Sequence, residues 1–338
     1  MEKITLKTLA DLFQVSPKTV SKVLNHKPGV REELRKAILN KAEELHYVPN
    51  LFGRGLQGGS MKTIGVILSD NTSPNYSTVL KGIEASADKH GYNIILCNSN
   101  ESKETEEQKI RLLTEKHVEG IILASVSYTT DVMKRKSLLG LKNLGIPYVL
   151  ISRMIHDEEP HDIVKTNDIE GGYLATKYLM DRGHRDIIYL ANKYSVTSSH
   201  ERLVGFRKAL EQQGLPFKQA HIIDQCESTM ESGYKVMQAV LAECKDFTAV
   251  LAFNDLIAVG AMSAIQEKGY RIPEDIAVIG YDDIEYAKFT NPPLTTIRQD
   301  ADRIGHLAMD VLLNKINNPD AEQQQIYLPP QFIERSSV

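Results

Sequence analysis

From Met61 onward, apolar runs of five or six residues alternate with amphipathic stretches of thirteen to fifteen, and few architectures accommodate that rhythm. The runs are TIGVIL (63–68), NIILC (93–97), GIILA (120–124), PYVLIS (147–152), DIIYLA (186–191), TAVLAF (248–253) and DIAVIG (275–280). Helical stretches are predicted near 77–90, 104–117, 169–183, 201–213, 230–243 and 255–269. Continuous apolar strands alternating with helices form parallel sheets covered on both faces. So many strands exceed one compact sheet, and a break near Arg153–Val164 divides them into two doubly wound lobes. The predicted core spans 62–338, with an N-lobe of about 62–164 plus 293–324 and a C-lobe of about 165–292 plus 325–338.

Residues 1–48 follow another period. Leu6, Leu9, Ala10 and Phe13 share one helical face, and Gln14–Ser16 makes a tight turn. Ser16 is a natural cap with Pro17 at the first helical position. A second helix carries Val20 and Val23 or Leu24 inward, and Lys27-Pro28-Gly29 ends it. A third, from about Arg31 to Leu45, carries Leu34, Ile38, Ala42 and Leu45. Three short helices with a tight first turn are the layout of a helix-turn-helix head, or of a generic three-helix bundle. Between head and core, 49–61 reads as a hinge or linker: Pro49 stops the helix and Gly53, Gly55, Gly58 and Gly59 follow.

The net charge of −4 separates into +4 over residues 1–60 and −8 over the rest. A basic head on an acidic body directs only the head toward a polyanion. Cys97, Cys226 and Cys244 are scattered without metal-type pairing, so no metal and no cofactor is expected, and free thiols point to a reducing cytoplasm. No run approaches a membrane span, and the opening MEKITLKTLADLF is amphipathic rather than a signal peptide. Strand one runs into SDNTSPN, not a glycine-rich phosphate turn, and His184 lacks Ser/Asp or Cys partners at catalytic spacing, so an enzyme is not expected. A periplasmic transport receptor would share the core but would carry an export signal in place of this head.

The strings ITLKTLADLFQVSPKTVSKVLN, VREELRKAI, ELHYVPN and GRGLQ strongly resemble the head and hinge of the lactose-repressor (LacI/GalR) family. GGYLATKYLMDRGHRDIIYLA, ERLVGFRKAL, FNDLIAVGAMSAIQEKGYRIPEDIAVIGYDD and PPLTTIRQD resemble its core, in order along nearly the whole chain. The resemblance implies a sequence-specific transcriptional repressor with a periplasmic-binding-protein-like core, acting as a homodimer on a palindromic double-stranded DNA operator. It implies base reading by Pro17, Lys18 and Lys22 from the second helix, and a minor-groove wedge at Leu56. Ser16, Thr19, Ser21, Asn25 and Arg31 suit phosphate contacts. No heptad tail follows Ile333, consistent with a dimer. Asp310 falls where the subgroup that binds a phosphocarrier protein has arginine, so no such partner is expected.

Effectors of doubly wound folds bind beyond the carboxyl ends of the strands. The candidates there are Ser73, Asn75, Tyr76, Ser152, Arg153, Arg202, Asn254 and Asp282, of which Arg202, Asn254 and Asp282 match family ligand positions directly. Amides, carboxylates and guanidinium groups beside an aromatic wall suit a polyhydroxylated ligand, a sugar or sugar acid. Ser152 replaces a usual aspartate, which is expected to leave Arg153 short of negative charge and to favour an acid such as an aldonate. Asp168, Asp255 and Asp283 read as helix caps, and His184 as structural.

Each hinge glycine costs a helix about 1 kcal/mol relative to alanine. Residues 50–57 are therefore expected to be unprotected from amide exchange in the free protein and protected on operator; protection without DNA would refute this.

Overall fold

The computed structural model describes residues 4–24, 27–47, 60–126, 136–155, 160–193, 196–243 and 246–338. Contacts divide the chain into Met1–Met61 and Lys62–Val338. Asn25, Leu56 and Cys244 lie outside the described residues, as does nearly all of the expected hinge.

In the head, α1 (Leu6–Leu12) starts at Thr5, whose side chain accepts from the Thr8 amide at 3.2 Å while the Thr8 hydroxyl accepts from the Thr5 amide. This reciprocal cap satisfies two otherwise orphaned donors. Helix α2 (Pro17–Leu24) is capped by Ser16, whose Oγ accepts from the Thr19 amide at 3.2 Å. Helix α3 (Glu32–Glu44) completes the unit. Leu9, Ala10, Val20, Val23, Ile38 and Ala42 are buried together, one pair from each helix.

The core holds two six-stranded sheets. The first lobe runs β1 (Thr63–Leu68), α4 (Pro74–Lys89), β2 (Asn93–Asn98), α5 (Lys103–Glu115), β3 (Ile121–Leu123), α6 (Lys136–Asn143), β4 (Tyr148–Ile151) and β5 (Ile163–Thr166). The second runs α7 (Asp168–Asp181), β6 (Ile187–Asn192), α8 (Thr197–Gln212), β7 (Ile222–Cys226), α9 (Met230–Glu243), β8 (Ala249–Ala252), α10 (Asp255–Glu267), β9 (Ala277–Asp282) and β10 (Thr295–Arg298). The chain then returns through α11 (Ala301–Asn317) and β11 (Gln325–Leu328) to the first lobe, and ends in β12 (Gln331–Ile333) on the second. The orders are β11-β5-β4-β3-β1-β2 and β12-β10-β9-β8-β6-β7. Every pairing is parallel except β10 with β12.

Both sheets are covered on both faces, as their continuous apolar strands require. In the second, Met237 of α9 and Ile257 of α10 pack on Val250 and Val278 from one side. Leu179 of α7 and Phe206 of α8 pack on Leu251 and Ile279 from the other. Among the described residues no helix is long and apolar enough to cross a membrane.

The lobe boundaries differ from those the pattern predicts. Lys165 belongs to β5 and Gln325–Leu328 to β11, both in the first sheet, whereas Thr295–Arg298 joins the second. Strands next to a crossover are short, and an apolar run carries no mark of which sheet it will join. Of the five strands outside the seven predicted runs (β5, β7, β10, β11, β12), three, β7, β11 and β12, are edge strands and β5 and β10 sit next to an edge.

The α7–α8 contact positions the later site. A Cβ on Gly172 would lie 2.2 Å from the Arg202 carbonyl oxygen, and one on Gly205 2.1 Å from that of Ile169. Only glycine permits this approach from either helix. Gly172→Ala is expected to lower stability by about 1–3 kcal/mol, as overpacking does, and urea unfolding checks it.

Candidate functional site

The cleft is built at the carboxyl ends of the strands, where the backbone itself is strained. Ser152 follows β4 with φ 58°, Glu101 follows β2 with φ 56°, and Asp282 ends β9 with φ 119°. Such conformations are costly for residues with a Cβ and concentrate at functional positions.

From the first lobe, Tyr76 on α4 is buried, and the Arg153 guanidinium lies 6.0 Å from its ring centroid. Arg153 is buried too, and its Nη1 and Nη2 donate to Glu101 Oε2 and Oε1, both at 2.7 Å. This fork satisfies the guanidinium bidentately. Burial opposes the charge on Arg153, but neighbouring groups including Glu101 outweigh it and raise its pKa. The expectation that Ser152 leaves Arg153 short of counter-charge is therefore corrected: Glu101, from the end of another strand, supplies it.

Glu106, one turn into α5, is also buried. It accepts from the Val126 amide at 2.7 Å and from Ser125 Oγ at 3.1 Å, and burial pushes its carboxyl up to about 7.

From the second lobe, Arg202 on α8 stacks 3.6 Å from the Tyr281 ring centroid and 4.5 Å from that of Phe253. Its Nε donates to Asp168 Oδ1 at 2.8 Å and its Nη1 to the Phe253 carbonyl at 2.6 Å. Asp168 also pairs with Lys165 at 3.2 Å, and Lys165 with Glu201. Asp282 accepts from Gln299 Nε2 at 2.7 Å. Removal from water pushes its carboxyl up to about 6, although Arg202 pulls the other way. The lobes meet here: the Met154 amide donates to Thr197 Oγ1 at 2.8 Å, and the Asp282 charge acts on Tyr76.

Four buried side-chain oxygens in this region, Ser69 Oγ, Asn75 Oδ1, Ser152 Oγ and Thr166 Oγ1, have no hydrogen-bond partner among the described residues. An unsatisfied buried polar atom costs about 1–3 kcal/mol. All four lie at or beyond the carboxyl ends of first-lobe strands.

Three aspartates expected as helix caps, Asp168, Asp255 and Asp283, are reassigned. The caps of α7 and α10 are Asn167 and Asn254, whose Oδ1 atoms accept from Glu170 N at 3.2 Å and Ile257 N at 2.9 Å. Asp168 and Asp255 follow one residue later, so their carboxylates turn inward instead of capping. Asp255 takes Thr296 Oγ1 at 2.6 Å and Ile284 N at 2.9 Å, and Asp283 joins Arg298 to Arg335. Ser73 occupies the cap position of α4 without a capping hydrogen bond. His184 Nδ1 meets Thr248 Oγ1 at 2.9 Å. Glu101, Glu106, Lys165, Glu201 and Gln299 are site-region residues that sequence reasoning missed; Glu101 after β2 and Gln299 after β10 follow strand ends, the others do not.

In the head, Pro17 and Lys18 are exposed and Lys22 half-exposed; Lys18 and Lys22 lie on the face of α2 opposite buried Val20 and Val23, whereas Pro17 is a turn before Val20. Ser16 and Thr19 engage each other at 3.0 Å, and Arg31 is the residue before α3.

The comparisons with known proteins match both units. The model of periplasmic binding proteins and the sugar binding domain of the LacI family matches residues 61–336, and that of bacterial regulatory proteins, lacI family, matches 5–50. The chain belongs to the LacI family. It is 36% identical to the HTH-type transcriptional repressor PurR of Pasteurella multocida over 99% of this chain and 98% of that one. Against the Lac repressor dimer bound to operator and the anti-inducer ONPF, the TM-score is 0.86 at 28% identity, covering 99% of each chain. The CelR–cellobiose complex gives 0.75 at 29%, covering 99% of this chain and 100% of that one. This LacI-family chain is thus a DNA-binding transcriptional regulator with an effector-binding core, not an enzyme.

The Glu106 carboxyl binds a proton more readily when folded than unfolded, so between about pH 4.5 and 7 the folded state holds more protons and stability falls as pH rises. Glu106→Gln is expected to flatten that decline; unfolding midpoints measured across this range check it.

Proposed function

We propose that this regulator is a repressor that grips a palindromic operator as a homodimer in the cytoplasm and is controlled by a small neutral sugar held between its lobes. In this reading Pro17, Lys18 and Lys22 face base edges, where lysine donates to guanine O6 or N7. Ser16, Thr19, Ser21, Asn25 and Arg31 hold phosphates, and Leu56 enters the minor groove. The Lac repressor is a dimer on its operator in the solved relative, which supports the same assembly here.

The observation that carries the effector class is the internal pairing of its cations. Arg153 is held by Glu101 and Arg202 by Asp168, while Asp282 adds a further acidic group. A carboxylate ligand would meet guanidinium groups already neutralised and an extra acid besides. A neutral polyol meets the unpartnered oxygens of Asn75, Ser152 and Thr166, with Tyr76 as an aromatic wall. Two solved relatives hold cellobiose and ribose, both neutral.

Calorimetry with cellobiose, ribose and other neutral sugars against gluconate tests the class. Neutral ligands are expected to bind and gluconate not, while Glu101→Gln, which frees Arg153, is expected to raise gluconate affinity about tenfold. Tighter wild-type binding of gluconate than of any neutral sugar would overturn the assignment. In gel shifts, Lys18→Ala is expected to cost about 1–3 kcal/mol and to relax preference at one base pair of each half-site.

A further inference from the structure

A second cavity, of about 180 Å³, opens on the C-lobe at the edge of its sheet opposite the effector cleft. Ile187, in its floor, is the first residue of β6, and His221, at its rim, directly precedes β7. The cleft lies beyond the other ends of these strands, a six-residue strand of about 20 Å away. The two sites therefore share no lining residue.

The floor is apolar and rigid. Ile187, Phe206 and Leu210 are buried, and Leu215 closes one side. Phe206 is fixed by stacking on Tyr189, with ring centroids 5.6 Å apart, and by an edge contact to Phe217 at 6.4 Å.

The rim is cationic. Arg185 Nη1 donates to the carbonyls of Met180 at 2.7 Å and His184 at 3.0 Å, which hold the guanidinium in place without neutralising it. The one carboxylate in the lining, Asp186, is taken by Lys218 at 2.6 Å. Burial and the nearby Lys218 hold the His221 imidazole below its usual pKa, so near neutral pH it offers an uncharged ring rather than a further cation. Arg185 and Lys218 against Asp186 leave one positive charge uncompensated over an apolar floor.

We infer that this cavity binds a small monocarboxylic acid with an apolar, preferably aromatic, body. The body lies against Phe206 and Leu210, and the carboxylate takes the open guanidinium donors of Arg185. A neutral body of the same shape fills the floor but leaves Arg185 unmatched, so charge separates this ligand class from the neutral polyols of the cleft.

Calorimetric titration of the full chain with benzoate, and with benzamide as its neutral isostere, tests the assignment. Benzoate is expected to bind about tenfold more tightly than benzamide, and Arg185→Gln to remove that difference. Both Arg185→Gln and Lys218→Gln change exposed side chains and are expected to keep wild-type unfolding midpoints and operator shifts. Asp282→Asn, in the cleft, is expected to leave benzoate affinity unchanged. Lack of saturation up to about 10 mM, equal affinity for the two probes, indifference to Arg185→Gln, or loss of benzoate binding in Asp282→Asn would each overturn the inference.

Discussion

A chain of buried charges at the lobe junction holds the site together. Lys165, at the end of β5 in the first sheet, has no solvent exposure, and its ammonium meets Asp168 at 3.2 Å and Glu201. Asp168 also binds Arg202 at 2.8 Å. Each ion alone would cost several kcal/mol to bury, so the arrangement exists only with all partners in place. Burial works against every charge, yet the partners win: the Lys165 pKa is raised and that of Asp168 lowered. The consequence is geometric. One cation from the first sheet locks the starts of α7 and α8, and the glycine contact between those helices then sets Arg202 against Tyr281.

The same logic of internal neutralisation recurs in the first lobe, where Glu101 clamps Arg153. Both pairs join residues far apart in sequence through the loops that end parallel strands. Positive charges in a cleft are usually read as invitations to an anion. In the proposed reading their ligand-facing role is to present fixed N–H donors, because Glu101 and Asp168 already pair with them inside the protein. The inferred anion site lies instead at the far edge of the C-lobe, where Arg185 is held by the carbonyls of Met180 and His184.

The fold class and the paired lobes were legible because burial on both faces writes itself into a strand as an unbroken apolar run. TIGVIL and NIILC coincide with β1 and β2 to within one residue. Lobe membership near the crossovers was not legible, since β10 (TTIR) and β11 (QIYL) carry no signal of which neighbour they pair with. In the site, Arg202 and Asp282 followed from strand ends and family position. Glu101 did not, because its partnership with Arg153 spans 52 residues and depends on β2 and β4 ending at the same edge. The caps were misread for a local reason: Asn-Asp at both helix starts offers two capping residues, and the asparagine takes the role at each.

An internally neutralised cleft also determines how such a sensor can discriminate. In the proposed reading charge gives it little selectivity, and recognition rests on buried polar atoms that require partners. Asn75 Oδ1, Ser152 Oγ and Thr166 Oγ1 each carry a desolvation cost until a ligand group reaches them. A site built to pair with hydroxyls rejects an analogue lacking one far more strongly than an apolar pocket rejects a missing methylene, because the unpaired atom stays buried. The same atoms couple recognition to the lobes. They lie on the first lobe, whereas Arg202, Asn254 and Asp282 lie on the second, so in the proposed reading a ligand that reaches both sets favours a closed arrangement over an open one. That differential affinity is the only free energy available to shift the equilibrium of the regulator.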